Sequence, residues 1–170
     1  TGEKILNPVT QIYLEEGAVF TLDTAQIGGV DSTVRKTEVY MEADSKLYVM
    51  EKLMTHDSQT AVSDMTVEMN GAGSSAQIVS RSVAKGNSVQ TFHPIAIGNA
   101  LCHAHVQCDS IIMDKAQISS IPEINARDID AQIIHEAAIG RINNEQILKL
   151  RTFGMTEEEA EAVIIEDFLA

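Results

Sequence analysis

The feature that most constrains the fold of this chain is an alternation of apolar and polar side chains from about residue 18 to about residue 138. A period of two places successive side chains on opposite faces of a strand, so the pattern predicts strands with one buried face. The clearest example is residues 63–70, where polar residues alternate with Met65, Val67 and Met69. Similar alternation predicts buried faces at Val39, Met41 and Ala43, and at Leu47, Val49 and Leu53.

Residues that favour turns separate these segments at intervals of roughly 8 to 15 residues. They are Gly28 and Gly29, Asp44, Asp57, Gly71 and Gly73, Gly86 and Asn87, and Gly98 and Asn99. This spacing is typical of a β-sandwich, a barrel or a β-solenoid, and periodicity alone does not choose among them. A strict short repeat is missing, which disfavours a regular hexapeptide solenoid but leaves an irregular β-helix open. An aromatic content of 4% leaves small and aliphatic residues to fill the core, which suits stacked rungs.

The periodicity changes to that of a helix after Ile142. Residues 144–153 and 157–169 are predicted to form a helical hairpin, with Asn143 and Thr156 as N-terminal caps. Gly154 lies where helices commonly end in the left-handed conformation. The prediction is therefore a β body over residues 1–142 and a helical segment over residues 143–170.

Charge and composition exclude several classes of function. The net charge of -13, with only 12 Lys and Arg residues, disfavours nucleic-acid binding, which needs clustered basic side chains. The sequence contains neither the pattern of a signal peptide nor an apolar run of the ~20 residues that span a bilayer. Two cysteines without a disulfide framework indicate free thiols. These features together predict a cytoplasmic protein.

One short stretch, CHAHVQC, contains residue types that bind metals. In an extended strand Cys102 and Cys108 would lie ~20 Å apart, too far to share an ion or a disulfide. His103 and His105 share a face at ~6.6 Å and are further candidates for a joint metal site. From the residues alone, the favoured interpretation is that the two cysteines are small buried hydrophobic groups and the two histidines are surface residues.

His135 and Glu136 form a second candidate pair. His135 has the parity of Ala131, Ile133 and Ala137, an apolar face, whereas Glu136 points the other way in an ideal strand. Neighbours on opposite faces reach one metal ion only if the strand ends or bulges there, or if two subunits share the site.

Residues 107–170 contain QCDSIIM, then IPEINARDIDAQIIHEAAIGRINNEQILKL, then FGMTEEEAEAVIIEDF. In order and spacing they resemble the C-terminal part of SufB/SufD proteins, the scaffold proteins of iron-sulfur cluster assembly. Residues 1–106 fit this family only as a β-rich body. The resemblance implies a mainly β protein, with a parallel β-helix core followed by a short helical hairpin.

The resemblance also implies partners and a site. Family members pair, as SufB with SufD or as like subunits, and bind an ABC-type ATPase called SufC. Sulfur and iron combine on this scaffold into a transient iron-sulfur cluster. Carried over by position, the residues implicated are Cys108, His135 and Glu136. Lys149 and Phe153 depart from the pattern of many members, in the region that docks the ATPase.

The resulting hypothesis is a scaffold without enzymatic activity, in which Cys108 accepts sulfur or binds the cluster. Its alternatives are a SufD-like structural subunit, a β-helix enzyme acting on carbohydrate or acyl groups, and an interaction protein without metal. We expect a dimer through the C-terminal rungs, close to Cys108 and His135. If the three residues act together, their side chains must converge within one chain or across a dimer axis.

Overall fold

The computed structural model describes residues 2–170, and in it the strands pair in parallel and wind into a β-helix. The predicted parallel β-helix is therefore confirmed, and the sandwich and barrel are excluded. The strands are β1 Ile5–Leu6, β2 Val9–Leu14, β3 Val19–Ile27, β4 Ser32–Met41, β5 Lys46–Thr55, β6 Thr60–Met69, β7 Ser74–Ala84, β8 Val89–Gly98, β9 Cys102–Ile112, β10 Gln117–Ser120, β11 Glu123–Ala126 and β12 Ala131–Gly140.

Each turn of the chain adds one level, or rung, to two facing sheets. The first sheet has the order β1-β4-β6-β8-β10, with β2 also paired to β4 and β11 also paired to β8. The second sheet has the order β3-β5-β7-β9-β12. Strands two apart in the chain are usually neighbours in a sheet, and residues 27 to 29 positions apart stack directly on one another.

The turns between sheets use left-handed backbone conformations at fixed places. Asp44, Asp57 and Asp114 have φ values of 57°, 53° and 53°, in a region that aspartate tolerates better than most residues. Gly71 is required for another reason, since a Cβ there would lie 1.9 Å from the backbone nitrogen of Ala43 in the rung below. The turn signals in the sequence therefore mark places where successive rungs touch.

The interior has two halves of different character. The ends of the first-sheet strands meet the beginnings of the second-sheet strands in what we call the apolar half. Its buried residues include Val39, Met41, Leu47, Val49, Val67, Met69, Ile78, Ala104 and Val106. The polar half lies at the other side of the interior, where second-sheet strands end and first-sheet strands begin. Beside Leu53 and Phe92 it contains Glu51, Ser63, Ser80, Ser82, Gln90, Cys108, Ser110 and Ser120.

The burial predicted from alternation agrees with this arrangement. Met65, Val67 and Met69 are at most 2% exposed, and Leu47, Val49 and Leu53 are also buried. The seven methionines do not all fill the core, since Met50 lies on the outer parity of β5 and is half-buried. Regular strands also start earlier than predicted, because β1 and β2 precede residue 18.

Two helices follow the β-helix, α1 at Asn144–Thr152 and α2 at Glu157–Leu169. Asn143 caps α1, as predicted, and its side chain accepts from the backbone N–H of Glu145. Thr156 is the predicted cap of α2, and together with Glu159 it forms a capping box. Within residues 2–170, neither helix is long and apolar enough to span a membrane.

The second helix fastens the hairpin to the side of the β-helix. Leu169 is buried with Val83 and Met113 in a small apolar cluster. Arg81 donates to the carbonyl of Phe168 at 3.2 Å, and Lys85 lies 3.4 Å from the carboxylate of Glu161. By contrast, α1 has no buried residue. Its contacts are mainly with α2, which in turn contacts β7 of the β-helix.

Candidate functional site

Cys108 points into the polar half of the interior from β9. The alternation of β9 places Ala104, Val106 and Cys108 on the inner face, and Cys108 is 3% exposed. In register it stacks between Ser80 on β7 and Ala137 on β12, and Glu51 occupies the same column one rung below Ser80. In this column of stacked side chains, Cys108 contributes a thiol. The stacked neighbours contribute the carboxyl group of Glu51, the hydroxyl of Ser80 and the methyl group of Ala137.

Burial controls the ionisation of this thiol. It raises the pKa of Cys108 to about 11, with smaller contributions from the nearby charges of Asp109 and Glu51. The hydroxyl of Ser120 opposes the shift. At neutral pH the isolated chain thus holds Cys108 mainly as the protonated thiol, and any chemistry that uses the thiolate must provide for its ionisation.

His135 lies on the inner face of the last rung. On β12 it is directly opposite Val106 of β9, and Ala137 beside it is opposite Cys108. The strand spacing and rise place His135 about 8 Å from Cys108 between Cα atoms, diagonally across two rungs. Burial lowers the pKa of His135, and its buried Nδ1 has no hydrogen-bond partner. The neutral ring therefore retains one buried, unused nitrogen.

Glu136 points away from the interior, as the parity of β12 predicts. Its carboxylate lies 3.5 Å from Nε2 of His105 on the outer face of the second sheet. His103 stands two residues before His105 on the same outer face, and both line one open concavity with Glu136. The outer face therefore brings together Glu136 and the two further histidine candidates, while Cys108 and His135 share the inner face.

The predicted site residues consequently form two groups on opposite sides of the last two rungs, with Cys108 and His135 inside and Glu136 and the two other histidines outside. Among residues 2–170, no three His, Cys, Asp or Glu side chains are close enough to hold one metal ion. Convergence of Cys108, His135 and Glu136 on one cluster would require a contribution from a second chain.

Cys102 occupies a different environment from Cys108. Both are free, and both lie on the inner face of β9. Cys102 is at the start of the strand, where a Cβ on Gly98 would come within 2.8 Å of its sulfur. Because Cys102 is packed closely against Gly98 and is only 4% exposed, we assign it a structural position in the core.

Sequence reasoning missed the polar residues around Cys108. Glu51 is 3% exposed, and its carboxylate accepts from the hydroxyl of Ser63 at 2.9 Å. Burial raises the pKa of Glu51, partly opposed by the bond from Ser63. The alternation of β5 could have revealed the burial of Glu51, because Glu51 falls between Val49 and Leu53 on the inner face of that strand.

The last rung ends the second sheet with an unpaired edge. β12 pairs with β9 on one side, and in the described part of the chain no strand pairs with its other side. Ile134 on its outer face and Ile139 on the parity of the inner face are 47% and 46% exposed. Unpaired backbone groups beside exposed apolar side chains are typical of an edge that pairs with another chain.

The helical hairpin exposes a second apolar surface. Leu148, Phe153 and Val163 are 58%, 74% and 42% exposed. The first turn of α2 carries Glu157, Glu158 and Glu159, so acidic side chains border this surface.

The chain matches one described protein family over almost its whole length. Residues 2–168 match the family described as "SUF system FeS cluster assembly, SufBD core domain". The match includes the β-helix and both helices, and therefore Cys108, His135 and Glu136.

Archaeal relatives extend this finding. An iron-sulfur cluster assembly SufBD family protein of Methanocaldococcus jannaschii is 28% identical over 176 residues, covering 99% of this chain and 54% of the relative. One from Archaeoglobus fulgidus is 28% identical over 170 residues, covering 96% of this chain and 45% of the relative. One from Pyrococcus horikoshii is 30% identical over 142 residues, covering 79% and 44%. The chain thus spans about half the length of these relatives.

Proposed function

Because the chain belongs to the SufBD core family of iron-sulfur cluster assembly, we propose that it is a scaffold subunit, without enzymatic activity, on which sulfur and iron combine. Cys108 is the sulfur acceptor or cluster ligand, and His135 and Glu136 are ligands or move protons. The observation that carries this proposal is the position of Cys108 and His135 on the inner face of the last two rungs, beside an unpaired edge.

The chemistry follows from the residue types. A cysteine thiolate is the common protein ligand of iron-sulfur clusters, and it is also a nucleophile toward persulfide sulfur. The neutral imidazole of His135 can ligate iron through a ring nitrogen or accept the proton that Cys108 must lose. The cluster is the cargo that this site would build and release. The protein's task is to hold its components and to limit access by water.

A dimer would complete the site. Pairing of two β12 edges would satisfy their unpaired backbone groups and place two copies of Cys108, His135 and Glu136 on either side of one axis. Glu136 of one chain could then approach the inner face of its partner, which it does not reach within its own chain. We expect sedimentation to show a dimer, and Ile139→Lys, which places a charge at this edge, to favour the monomer.

The helical hairpin is our candidate docking surface for a SufC-like ATPase. Its support is the group of exposed side chains Leu148, Phe153 and Val163 on a hairpin that is fastened to the body mainly through α2. Phe153→Asp should abolish capture of such an ATPase. Ile124→Asp, which changes an exposed apolar residue on β11, should leave capture intact. Retained capture by Phe153→Asp would place the docking surface elsewhere.

The free thiols of both cysteines suit the cytoplasm, where we place the protein.

One observation favours a second role, that of a SufD-like subunit supporting a partner's site. In the isolated chain Cys108 is buried with a raised pKa, and Glu136 faces away from it. A support subunit would form complexes but would not assemble a cluster alone. Reconstitution of a cluster on this chain alone therefore distinguishes the two roles.

The experiment is anaerobic reconstitution of the whole chain with ferrous iron and sulfide, followed by iron and acid-labile sulfide analysis. The scaffold proposal predicts bound iron and sulfide with cluster absorbance. It also predicts that Glu136→Ala lowers cluster content while thermal stability changes little, since Glu136 is exposed. Glu123→Ala, at an exposed acidic residue of the first sheet, is the control. Cluster-free wild-type protein that still forms complexes would instead support the SufD-like role.

A further inference from the structure

The turn after β6 contains the one Asn-Gly pair of the sequence, Asn70 and Gly71. Such a pair is chemically labile, because the small second residue lets its backbone nitrogen approach the side-chain amide of the asparagine. Every other asparagine is followed by a larger residue. At position 71 the fold excludes a larger residue, since a Cβ there would overlap the backbone of Ala43 in the rung below. The stacking of rungs therefore requires a reactive pair at this turn, where Asn70 is exposed to water.

The rung below engages the nitrogen that would react. The backbone N–H of Gly71 donates to the carbonyl of Met41 at 3.1 Å, and the N–H of Asn70 donates to the same oxygen at 2.8 Å. The Gly71 nitrogen becomes a nucleophile only when it loses its proton, and it then loses this hydrogen bond as well. Contact with the rung below thus keeps the nitrogen unreactive.

The rung above engages the amide that would be attacked. Nδ2 of Asn99 donates to Oδ1 of Asn70 at 2.7 Å, and the backbone N–H of Asn99 is fixed by the carbonyl of Met69 at 2.9 Å. One rung further, Nη1 of Arg127 donates to Oδ1 of Asn99 at 3.3 Å. Because a guanidinium group only donates, this bond identifies the oxygen of Asn99 and directs its nitrogen to Asn70. We call the three stacked side chains Asn70, Asn99 and Arg127 the turn ladder.

We propose that Asn70 is a deamidation site whose rate is controlled by the turn ladder. The backbone nitrogen of Gly71 attacks Cγ of Asn70, the bond from Cγ to the side-chain nitrogen breaks, and ammonia leaves with the proton from Gly71. Water then opens the resulting succinimide ring at either carbonyl, which gives aspartate or isoaspartate. Rotation of the side chain toward Gly71 must first break the hydrogen bond from Asn99, so the intact ladder slows the reaction. This chemistry is independent of cluster assembly.

The isoaspartate product would loosen the stacking of rungs. Its main chain is longer by one carbon between residues 70 and 71, at the place where Gly71 lies too close to Ala43 to carry a Cβ. Aspartate keeps the normal main chain and still accepts from Asn99. Either product adds one negative charge, so ion-exchange chromatography separates the modified chain from the intact chain.

The test incubates the whole chain in mildly alkaline buffer, folded or unfolded in guanidinium chloride, and follows Asn70 by peptide mass spectrometry with detection of isoaspartate. We expect Asn70 to be the first asparagine modified in the unfolded chain, and to react more slowly in the folded chain. Asn99→Ala should accelerate the reaction of the folded chain about fivefold, the effect of removing one hydrogen bond. Asn144→Ala, at an exposed residue of α1, should match wild type.

Two further variants separate the ladder from overall stability. Arg127→Ala should accelerate the reaction less than Asn99→Ala, since it acts through Asn99 and by a longer bond. Ser82→Ala, which loses a hydrogen bond elsewhere in the interior and leaves the ladder intact, should react at the wild-type rate. Equal rates for folded wild type and Asn99→Ala would overturn the inference. If Asn99→Ala does not fold, equal rates for wild type and Arg127→Ala would do so, as would a different asparagine reacting first in the unfolded chain.

Discussion

The two halves of the β-helix interior are built from the same strands yet differ in what they can do. The apolar half is packed with Val39, Met41, Val67 and Met69, each completely buried. The polar half contains a buried carboxyl, several hydroxyls and Cys108. Burial of apolar surface stabilises the fold, whereas buried polar groups are costly unless hydrogen-bonded. We conclude that the apolar half holds the rungs together and that the polar half maintains a chemical environment at some expense of stability.

The largest expected effect lies in the apolar half. Met69→Ala removes a completely buried side chain that sits between neighbouring rungs, and should lower the free energy of unfolding by about 3 kcal/mol. Ser82→Ala in the polar half should cost only about 1 kcal/mol, since it removes one hydroxyl bond to Ser110. Urea denaturation of both variants measures the difference. Similar losses would contradict the division of the interior.

A smaller loss is expected from Ser63→Ala. The hydroxyl of Ser63 is the group that donates to the buried carboxylate of Glu51 at 2.9 Å. Its removal leaves that oxygen without this donor, at a cost of about 2 kcal/mol. Ser58→Ala, at an exposed turn residue, is the control. If Ser63→Ala unfolds at the same urea concentration as wild type, water has replaced the hydroxyl and the polar half is wetter than the structure indicates.

The smallest effect, a gain, is expected from Glu51→Gln. Burial raises the pKa of Glu51 above its ordinary value of 4.5. Below pH 4.5 the carboxyl is protonated in both states, but as pH rises from there the unfolded chain ionises first and folding becomes less favourable. Glu51→Gln should therefore gain stability relative to wild type above pH 4.5, and the gain should vanish in acid. Thermal unfolding from pH 4 to pH 8 checks this, and a gain that is constant with pH would remove ionisation as its cause.

The same comparison shows what the sequence could reveal. Alternation at Met65, Val67 and Met69 predicted buried faces correctly, and the resemblance of residues 107–170 identified the family and the β-helix. Parity also separated His135 from Glu136. The neighbours of Cys108 could not be predicted, because Ser80 reaches it through the stacking of rungs and Gln90 and Ser120 approach from the facing sheet. That stacking depends on the exact number of residues in each turn, which periodicity along one strand does not supply.

The resemblance named Cys108, His135 and Glu136 as one set, and the single chain separates them, with Cys108 and His135 on the inner face and Glu136 on the outer face. Glu136 lies beside His105, which sequence spacing had connected only with His103. Pairing of Glu136 with His105 depends on the register between β9 and β12. That register is a property of the fold, and a linear motif does not contain it.

The most direct test of the central claim compares the two cysteines of β9 in anaerobic cluster reconstitution. Cys108→Ser removes a soft thiolate but little volume, so fold and dimer should persist while bound iron, sulfide and cluster absorbance are lost. Cys102→Ser, an equivalent change on the same inner face, should retain the cluster at the wild-type level. Wild-type cluster content in Cys108→Ser would contradict the account, and would leave this chain with the family's fold but without the proposed chemistry.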